Sequence, residues 1–263
     1  MADLVVVITG ASTGIGAALA EQLARQGASI AIVARRADAL HDTAARCGGA
    51  VLTIVADMTV RADVRRAVSE TIARFGHIDV WVNNVGQGIT RMPTELTDED
   101  IDDMIRVNVK SALYGMQEVL PHFKERGTGH IVNISSMLGR MPFAVFRSAY
   151  NGAKHFLNAL TTNVREELKT TYPGIQVSLV SPGVVFTEFG LRAKHGGVDS
   201  RTLPQGQSAD AVADVIAGVI RSRKPDVYTR PGARQMVIDY YAGLGEDATD
   251  VAADSPVRRP GPA

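Results

Sequence analysis

Tyr150 and Lys154 stand four residues apart in Tyr150-Asn151-Gly152-Ala153-Lys154, a segment with helical character. Positions i and i+4 of a helix share a face, with Cβ atoms about 5–6 Å apart, so the phenol and the ammonium can act on one reacting group. A free phenol has a pKa near ~10, and a cation a few ångströms away favours the phenolate, so the expectation is a lowered pKa and a usable proton donor or acceptor. Such pairs are common on helices and mostly structural, so the elements around this one must carry the argument.

A second group opens the chain. Thr9-Gly10-Ala11-Ser12-Thr13-Gly14-Ile15-Gly16 follows an apolar run, Leu4 to Ile8, and leads into a helix over Ala17 to Gln26. A strand-turn-helix of this kind aims backbone N–H groups and the positive helix end at one point, where glycines let a pyrophosphate approach. The predicted ligand is a dinucleotide, contacted by Gly10, Ser12, Thr13, Gly14, Ile15 and Gly16. About twenty residues on, where a carboxylate would take the adenosine ribose hydroxyls, stand Arg35 and Arg36. Guanidinium groups pair with a 2′-phosphate that a carboxylate would repel, so NADP(H) is expected rather than NAD.

The glycine spacing departs from G-x-G-x-x-G and, taken with Tyr150 and Lys154, resembles the short-chain dehydrogenase/reductase family over residues 4 to about 188. The resemblance implies the remaining site residues. Ser136, ending Asn133-Ile134-Ser135-Ser136, corresponds to the catalytic serine, with Ser135 a structural hydroxyl. Ser136 precedes Tyr150 by 14 positions where 13 is commoner, so an extra loop residue is expected. Asn108 matches the fourth catalytic position, holding a water that links the lysine to solvent. Asp57 and Met58 would border the adenine. Asn84 and Gly86 belong to Asn83-Asn84-Val85-Gly86, a variant of Asn-Asn-Ala-Gly. Pro182, Gly183, Val185 and Thr187 match Pro-Gly-x-x-x-Thr and would orient the nicotinamide carboxamide. The family commonly assembles as homotetramers or homodimers.

Positioning these groups requires alternating elements. Short β-branched runs recur at Leu4–Ile8, Ser29–Ala34, Val51–Val55, Ile78–Val82, His130–Ile134, Gln176–Val180 and Asp226–Thr229. Helix-period segments separate them, the clearest carrying Val64, Val68, Thr71, Ile72 and Phe75 on one stripe. Thr97 with Asp100 caps a long helix predicted to run to about Lys124. Parallel strands need right-handed crossovers, so the fold class is α/β: a single-domain, Rossmann-like, doubly wound parallel sheet of about seven strands with helices on both faces, over residues 1–245. Residues 190–207 lack a clean period and are expected to form a substrate loop. Residues 246–263, acidic and then rich in proline, are expected to be a disordered tail.

Composition narrows the alternatives. The 263 residues carry 28 Lys plus Arg against 28 Asp plus Glu, leaving no net field for a nucleic acid. The single cysteine excludes an internal disulfide and fits a reducing, cytoplasmic setting. No apolar stretch is long enough to cross a bilayer. The six histidines show no metal-ligand spacing, and Ser181-Pro182-Gly183 is not a nucleophile elbow. The expected reaction is hydride transfer between NADP(H) and a small-molecule carbonyl or alcohol. A non-enzymatic NADP-binding regulator or scaffold is the alternative. Met137, Met141, Phe143, Phe146, Phe186, Phe189 and Ile89 lie in the loops that would enclose the substrate and favour a bulky apolar one. Arg140, Arg147, Arg192 and Lys194 lie in the same loops and would suit an anionic one.

Overall fold

A computed structural model describes residues 1–245. Seven strands form one parallel sheet: β1 (Val5–Thr9), β2 (Ser29–Ala34), β3 (Val51–Val55), β4 (Val80–Asn83), β5 (Gly129–Ile134), β6 (Ile175–Ser181) and β7 (Asp226–Tyr228). Their spatial order is β3-β2-β1-β4-β5-β6-β7. The order reverses between β1 and β4, and the crevice outside the carboxyl ends of such strands is where open α/β sheets bind ligands.

Among the described residues, seven α-helices lie between the strands and an eighth follows β7: α1 (Gly14–Arg25), α2 (Ala37–Cys47), α3 (Arg61–Phe75), α4 (Asp98–Ile105), α5 (Ser111–Arg126), α6 (Ser148–Thr171), α7 (Ala209–Ser222) and α8 (Ala233–Ala242). Successive strand residues point to opposite faces. Val6 and Ile8 therefore pack with Leu19 and Leu23 of α1 and Ile216 of α7, whereas Val7 packs on the other face with Val64 of α3 and Val119 and Phe123 of α5. Burying both faces explains why the strands read as nearly unbroken apolar runs. Each fully buried Leu, Ile or Phe on these faces contributes about 1.5–3 kcal/mol. Gly129 is required at the start of β5 because a β carbon there would overlap the Phe123 ring.

The predicted long helix is interrupted. Its start is as expected, with Thr97 and Asp100 forming a reciprocal capping box. After α4, residues Arg106–Lys110 make one π-helical turn before α5 begins. Asn108 Nδ2 donates to the Met104 carbonyl at 3.2 Å, and Ser111 Oγ donates to the Val107 carbonyl. Side chains thus compete for carbonyls that the backbone would otherwise use, and a π turn at such a place often marks a functional site. No helix among the described residues is long and apolar enough to cross a membrane. The expected tail, residues 246–263, lies outside the described residues.

Candidate active site

The turn between β1 and α1 is built around positive-φ glycines, Gly10 at 66° and Gly14 at 59°. Only glycine enters that region without steric cost. Gly16 has a different constraint, since a β carbon there would lie 2.5 Å from the Gly10 carbonyl oxygen and 2.6 Å from Asn84 Nδ2. Thr13 adopts an extended conformation before α1 and its hydroxyl makes no cap bond. No acidic residue sits in the first turn of α1, so its N–H groups and positive end face the crevice at Gly14, Ile15 and Gly16.

Asn84, just past β4, braces this turn: its backbone N–H donates to Thr9 Oγ1, and its Nδ2 donates to the Thr9 and Gly10 carbonyls. Asn83 is structural, accepting from Trp81 Nε1 and donating to Asn133 and Ala112. At the end of β2, Arg35 and Arg36 are exposed. Arg36 Nη2 donates to Ser12 Oγ at 3.4 Å, which brings the second arginine to the glycine turn. Arg35 lies 3.9 Å from the Asp57 carboxylate. Asp57 lies beyond the end of β3, where its Oδ1 accepts from both the backbone and the hydroxyl of Thr59, and Met58 is buried beside it.

The groups expected to do chemistry converge on the carboxyl end of β5. Ser136 follows that strand, and its Oγ accepts from the Leu138 N–H at 3.1 Å. Ser135 donates instead to Asn158 Oδ1 of α6, while Asn158 Nδ2 donates to the Gly139 carbonyl. Ser135 thus ties the strand end to the helix, while the Ser136 hydroxyl is within hydrogen-bond reach of the Tyr150 phenol. Tyr150 and Lys154 are buried in the first two turns of α6, with Lys154 Nζ 5.7 Å from the Tyr150 ring centroid. Asn108 is fully buried, and its Nδ2 and Oδ1 hold the carbonyl and N–H of Gln87. A β carbon at Gly86 would lie 3.2 Å from Asn108 Oδ1 and 3.5 Å from Lys154 Nζ. The Asn108 amide oxygen and the Lys154 ammonium thus both border Gly86, where glycine leaves them room.

The expectation that Lys154 lowers the phenol pKa does not hold for the ligand-free chain. Burial pushes the Tyr150 phenol up to about 12, with Ser136 and Arg147 pulling weakly in the other direction. Burial also brings Lys154 down to about 8, and its ammonium donates to the Ile134 carbonyl rather than to the phenol. Desolvation outweighs the pair's mutual effect because the whole unit lies beneath solvent. At neutral pH the Tyr150 phenol is protonated.

The segment after β6 closes the other side of the crevice. The Pro182 carbonyl accepts from the Met137 N–H, and Gly183 leaves room for the Arg230 side chain. Val185 bridges to Gln207, and its carbonyl accepts from the Thr187 N–H. The Thr187 methyl would be 3.2 Å from a β carbon at Gly14, so this segment reaches back to the glycine turn. Residues 190–207 are tied down rather than irregular throughout: Lys194 pairs with Ile89 as a β-bridge, and Ser200–Thr202 forms a helical turn. Lys194 Nζ binds Asp103 at 2.6 Å and Asp100 at 3.2 Å, and His195 binds Asp100 at 2.8 Å. Burial favours the neutral Asp100 carboxyl, but bonds from His195, Thr97 and Lys194 outweigh it and hold the group well below the usual range.

The apolar residues expected around the substrate divide. Met137 and Met141 pack under α8 with Ala233 and Tyr240, and Ile89 packs with Met104 and Val109, so these three are core. Phe189 lies 5.6 Å from the Tyr150 ring, and Phe143, Phe146 and Phe186 are exposed. Three supporting residues were not picked out from sequence: Thr9, which locks Asn84, Gln87, which holds Asn108, and Asn158, which holds Ser135. Their roles depend on partners 19 to 75 positions away.

Comparison with known proteins agrees with this arrangement. The family profile described as short chain dehydrogenase matches residues 4–195. An uncharacterized oxidoreductase of Staphylococcus epidermidis is 37% identical over 198 residues, covering 73% of this chain and 85% of that protein. Among solved structures, a short-chain dehydrogenase/reductase from Burkholderia phymatum in complex with NAD superposes with a TM-score of 0.82 at 25% identity, covering 90% of this chain and 92% of its own. A short-chain dehydrogenase from Sphingobium yanoikuyae in complex with NADPH gives 0.78 at 31% identity over 98% of both chains. With the glycine turn, the Ser136–Tyr150–Lys154 group and the β-strand order all in place, the chain belongs to the short-chain dehydrogenase/reductase family of oxidoreductases.

Proposed function

We propose that this protein transfers a hydride between NADP(H) and a carbonyl or secondary alcohol on a bulky, largely apolar molecule. The observation that carries the reading is the convergence of Ser136, Tyr150 and Lys154 at the end of β5, opposite the glycine turn, with Asn108 beside Lys154 at Gly86. The cradle suits a dinucleotide: Gly10, Ser12, Thr13, Gly14, Ile15 and Gly16 would hold its pyrophosphate. Asp57, Met58, Asn84 and Gly86 would line its path, and Pro182, Gly183, Val185 and Thr187 its nicotinamide end. Arg35 and Arg36 support NADP(H), since Arg36 already reaches Ser12 where a 2′-phosphate would meet both. The NADPH complex of the Sphingobium protein is consistent with this choice, and the NAD complex of the Burkholderia protein shows that relatives take either.

When bound, the nicotinamide supplies or accepts the hydride. In reduction, Tyr150 gives its proton to the substrate oxygen; burial keeps the phenol protonated until then. The Ser136 hydroxyl holds the same oxygen and steadies charge that develops on it. Lys154 supplies a positive charge behind Tyr150, and Asn108 with Lys154 would line the route by which a proton returns. Phe189 and the exposed Phe143, Phe146 and Phe186 support an apolar substrate body. Exposed Phe156 and Ile101, on α6 and α4, support assembly of this chain into a homo-oligomer.

The test is NADPH and NADH consumption with a panel of aldehydes, ketones and quinones, alongside cofactor binding by fluorescence. Turnover that prefers NADPH is expected. Tight NADPH binding without turnover on a broad panel would instead favour a regulator or scaffold.

A further inference from the structure

Of Arg140, Arg147, Arg192 and Lys194, the basic side chains singled out above in the loops bordering the crevice, three are neutralised. Arg140 pairs with Asp226, Arg192 pairs with Glu188, and Lys194 is held by Asp100 and Asp103. Arg147 differs: among the described residues it has no carboxylate partner, and its Nη1 is buried without a hydrogen-bond partner. Resting this step on the oxidoreductase reading above, we propose that Arg147 receives a carboxylate on the substrate, so that the preferred substrate joins an apolar body to a single anionic group.

The position follows from chain geometry. Arg147 immediately precedes α6, three residues before Tyr150. Its Nη1 occupies space that only glycine leaves at Gly88, where an added β carbon would overlap it and lie 3.1 Å from the Phe189 ring. Phe189 in turn packs on Tyr150. Nη2 lies on the far side, 3.2 Å from where a β carbon of Gly197 would sit, and Thr90 Oγ1 is 3.0 Å from that same point. Thr90 Oγ1 is also buried without a partner. A guanidinium whose Nη1 is unsatisfied and an unsatisfied hydroxyl thus border one point at Gly197, on the Phe189 side of the Tyr150 ring. The guanidinium's other contact is the Phe146 ring, whose centroid lies 5.7 Å from Cζ, and this leaves the in-plane N–H donors uncommitted.

Leaving a buried donor unmatched is costly, and burial lowers the Arg147 pKa, a strain that an anion would relieve. A carboxylate fits best because its two oxygens match the planar fork of N–H groups, with Thr90 able to donate to the same oxygens. The rival role for Arg147 is purely electrostatic, acting on the Tyr150 proton without touching substrate.

Binding separates these roles without requiring turnover. With the NADP-saturated protein, phenylglyoxylate and 3-benzoylpropionate are titrated by calorimetry, each beside its methyl ester. At least one acid is expected to bind ten-fold or more tightly than its ester. That ratio should fall to near one in Arg147→Met and survive in part in Arg147→Lys. Gly88→Ala, whose methyl displaces Nη1, should lower the ratio independently should Arg147→Met fold poorly. Equal affinity for acid and ester in the wild type, or a ratio unchanged in Arg147→Met and Gly88→Ala, would overturn the proposal. NADPH oxidation with the same four compounds is scored separately. An acid preference without turnover leaves the anion site standing and counts against the reaction; turnover without an acid preference does the reverse.

Discussion

Asn84 Nδ2 donates to the carbonyl oxygens of Thr9 and Gly10, each at 3.1 Å. One side chain after β4 therefore fixes the exit of β1 and the first residue of the glycine turn together. The two halves of the crevice, meeting where the sheet order reverses, are joined by a hydrogen-bonded brace rather than by packing alone. Asn84 is already saturated on its donor side by the turn, so its contribution to a cofactor is to shape the cradle.

That brace makes the third glycine sensitive. Gly16→Ala would put a methyl 2.5 Å from the Gly10 carbonyl oxygen, a backbone atom, and 2.6 Å from Asn84 Nδ2, an amide held by two hydrogen bonds. Overpacking of this kind costs about 1–3 kcal/mol. The expected outcome is a lower Tm together with NADP affinity reduced more than ten-fold, read by thermal melts with and without cofactor. An unchanged affinity would mean that the turn is not the pyrophosphate cradle.

Cofactor choice is carried by exposed side chains. Replacing Arg35 and Arg36 together with neutral residues should weaken NADP binding by about 2 kcal/mol, the low end for charge-assisted bonds because both groups face solvent, which is roughly 30-fold. NAD affinity should move little. Added salt should narrow the wild-type preference, since exposed charges are screened. Equal losses for both cofactors in parallel titrations would reject the assignment.

Burial of Lys154 has a consequence for stability. A lysine held near 8 in the folded chain and at its ordinary value when unfolded binds fewer protons folded than unfolded between those values. Its charged form is therefore a penalty present in full below pH 8, and one that is relieved as pH rises toward about 10.5. Lys154→Met should raise the Tm of the ligand-free protein at pH 7, by up to about 3 kcal/mol of stability at some 1.4 kcal/mol per pKa unit, while abolishing turnover. Loss of the bond to the Ile134 carbonyl sets the gain below that ceiling. Melts across pH 7–10 should show the difference shrinking with pH. A destabilised variant at pH 7 would contradict the inferred cost of the buried charge.

Much of the architecture was readable because it depends on local pattern. The β-branched runs at Ser29–Ala34 and Val51–Val55 became strands with those bounds, and Ile78–Val82 shifted by two residues at its start. The glycine turn and the Tyr150–Lys154 pair announced themselves by spacing, whereas Ser136 came only from the family resemblance. What spacing does not convey is burial: the four-residue interval places a cation near Tyr150, yet the depth of both groups reverses the direction of the phenol's shift. Long-range partners were equally hidden. The break at Asn108 follows from its bonds to Gln87, 21 residues earlier, and Met104. Met137 and Met141 look like pocket residues until α8, some ninety positions later, covers them. Lys194 reads as a free cation until Asp100 and Asp103 meet it from α4.

The Tyr150 hydroxyl bears on the central claim most directly. Tyr150→Phe removes one oxygen and almost no volume from a residue packed against Phe189, so fold and cradle should persist. The decisive measurement is kcat for NADPH-dependent reduction of the best carbonyl substrate by wild type and Tyr150→Phe, with NADPH affinity determined for both. The predicted result is a kcat lower by a factor of about 100 or more at nearly unchanged NADPH affinity. A Tyr150→Phe protein that retains near-normal kcat would contradict it.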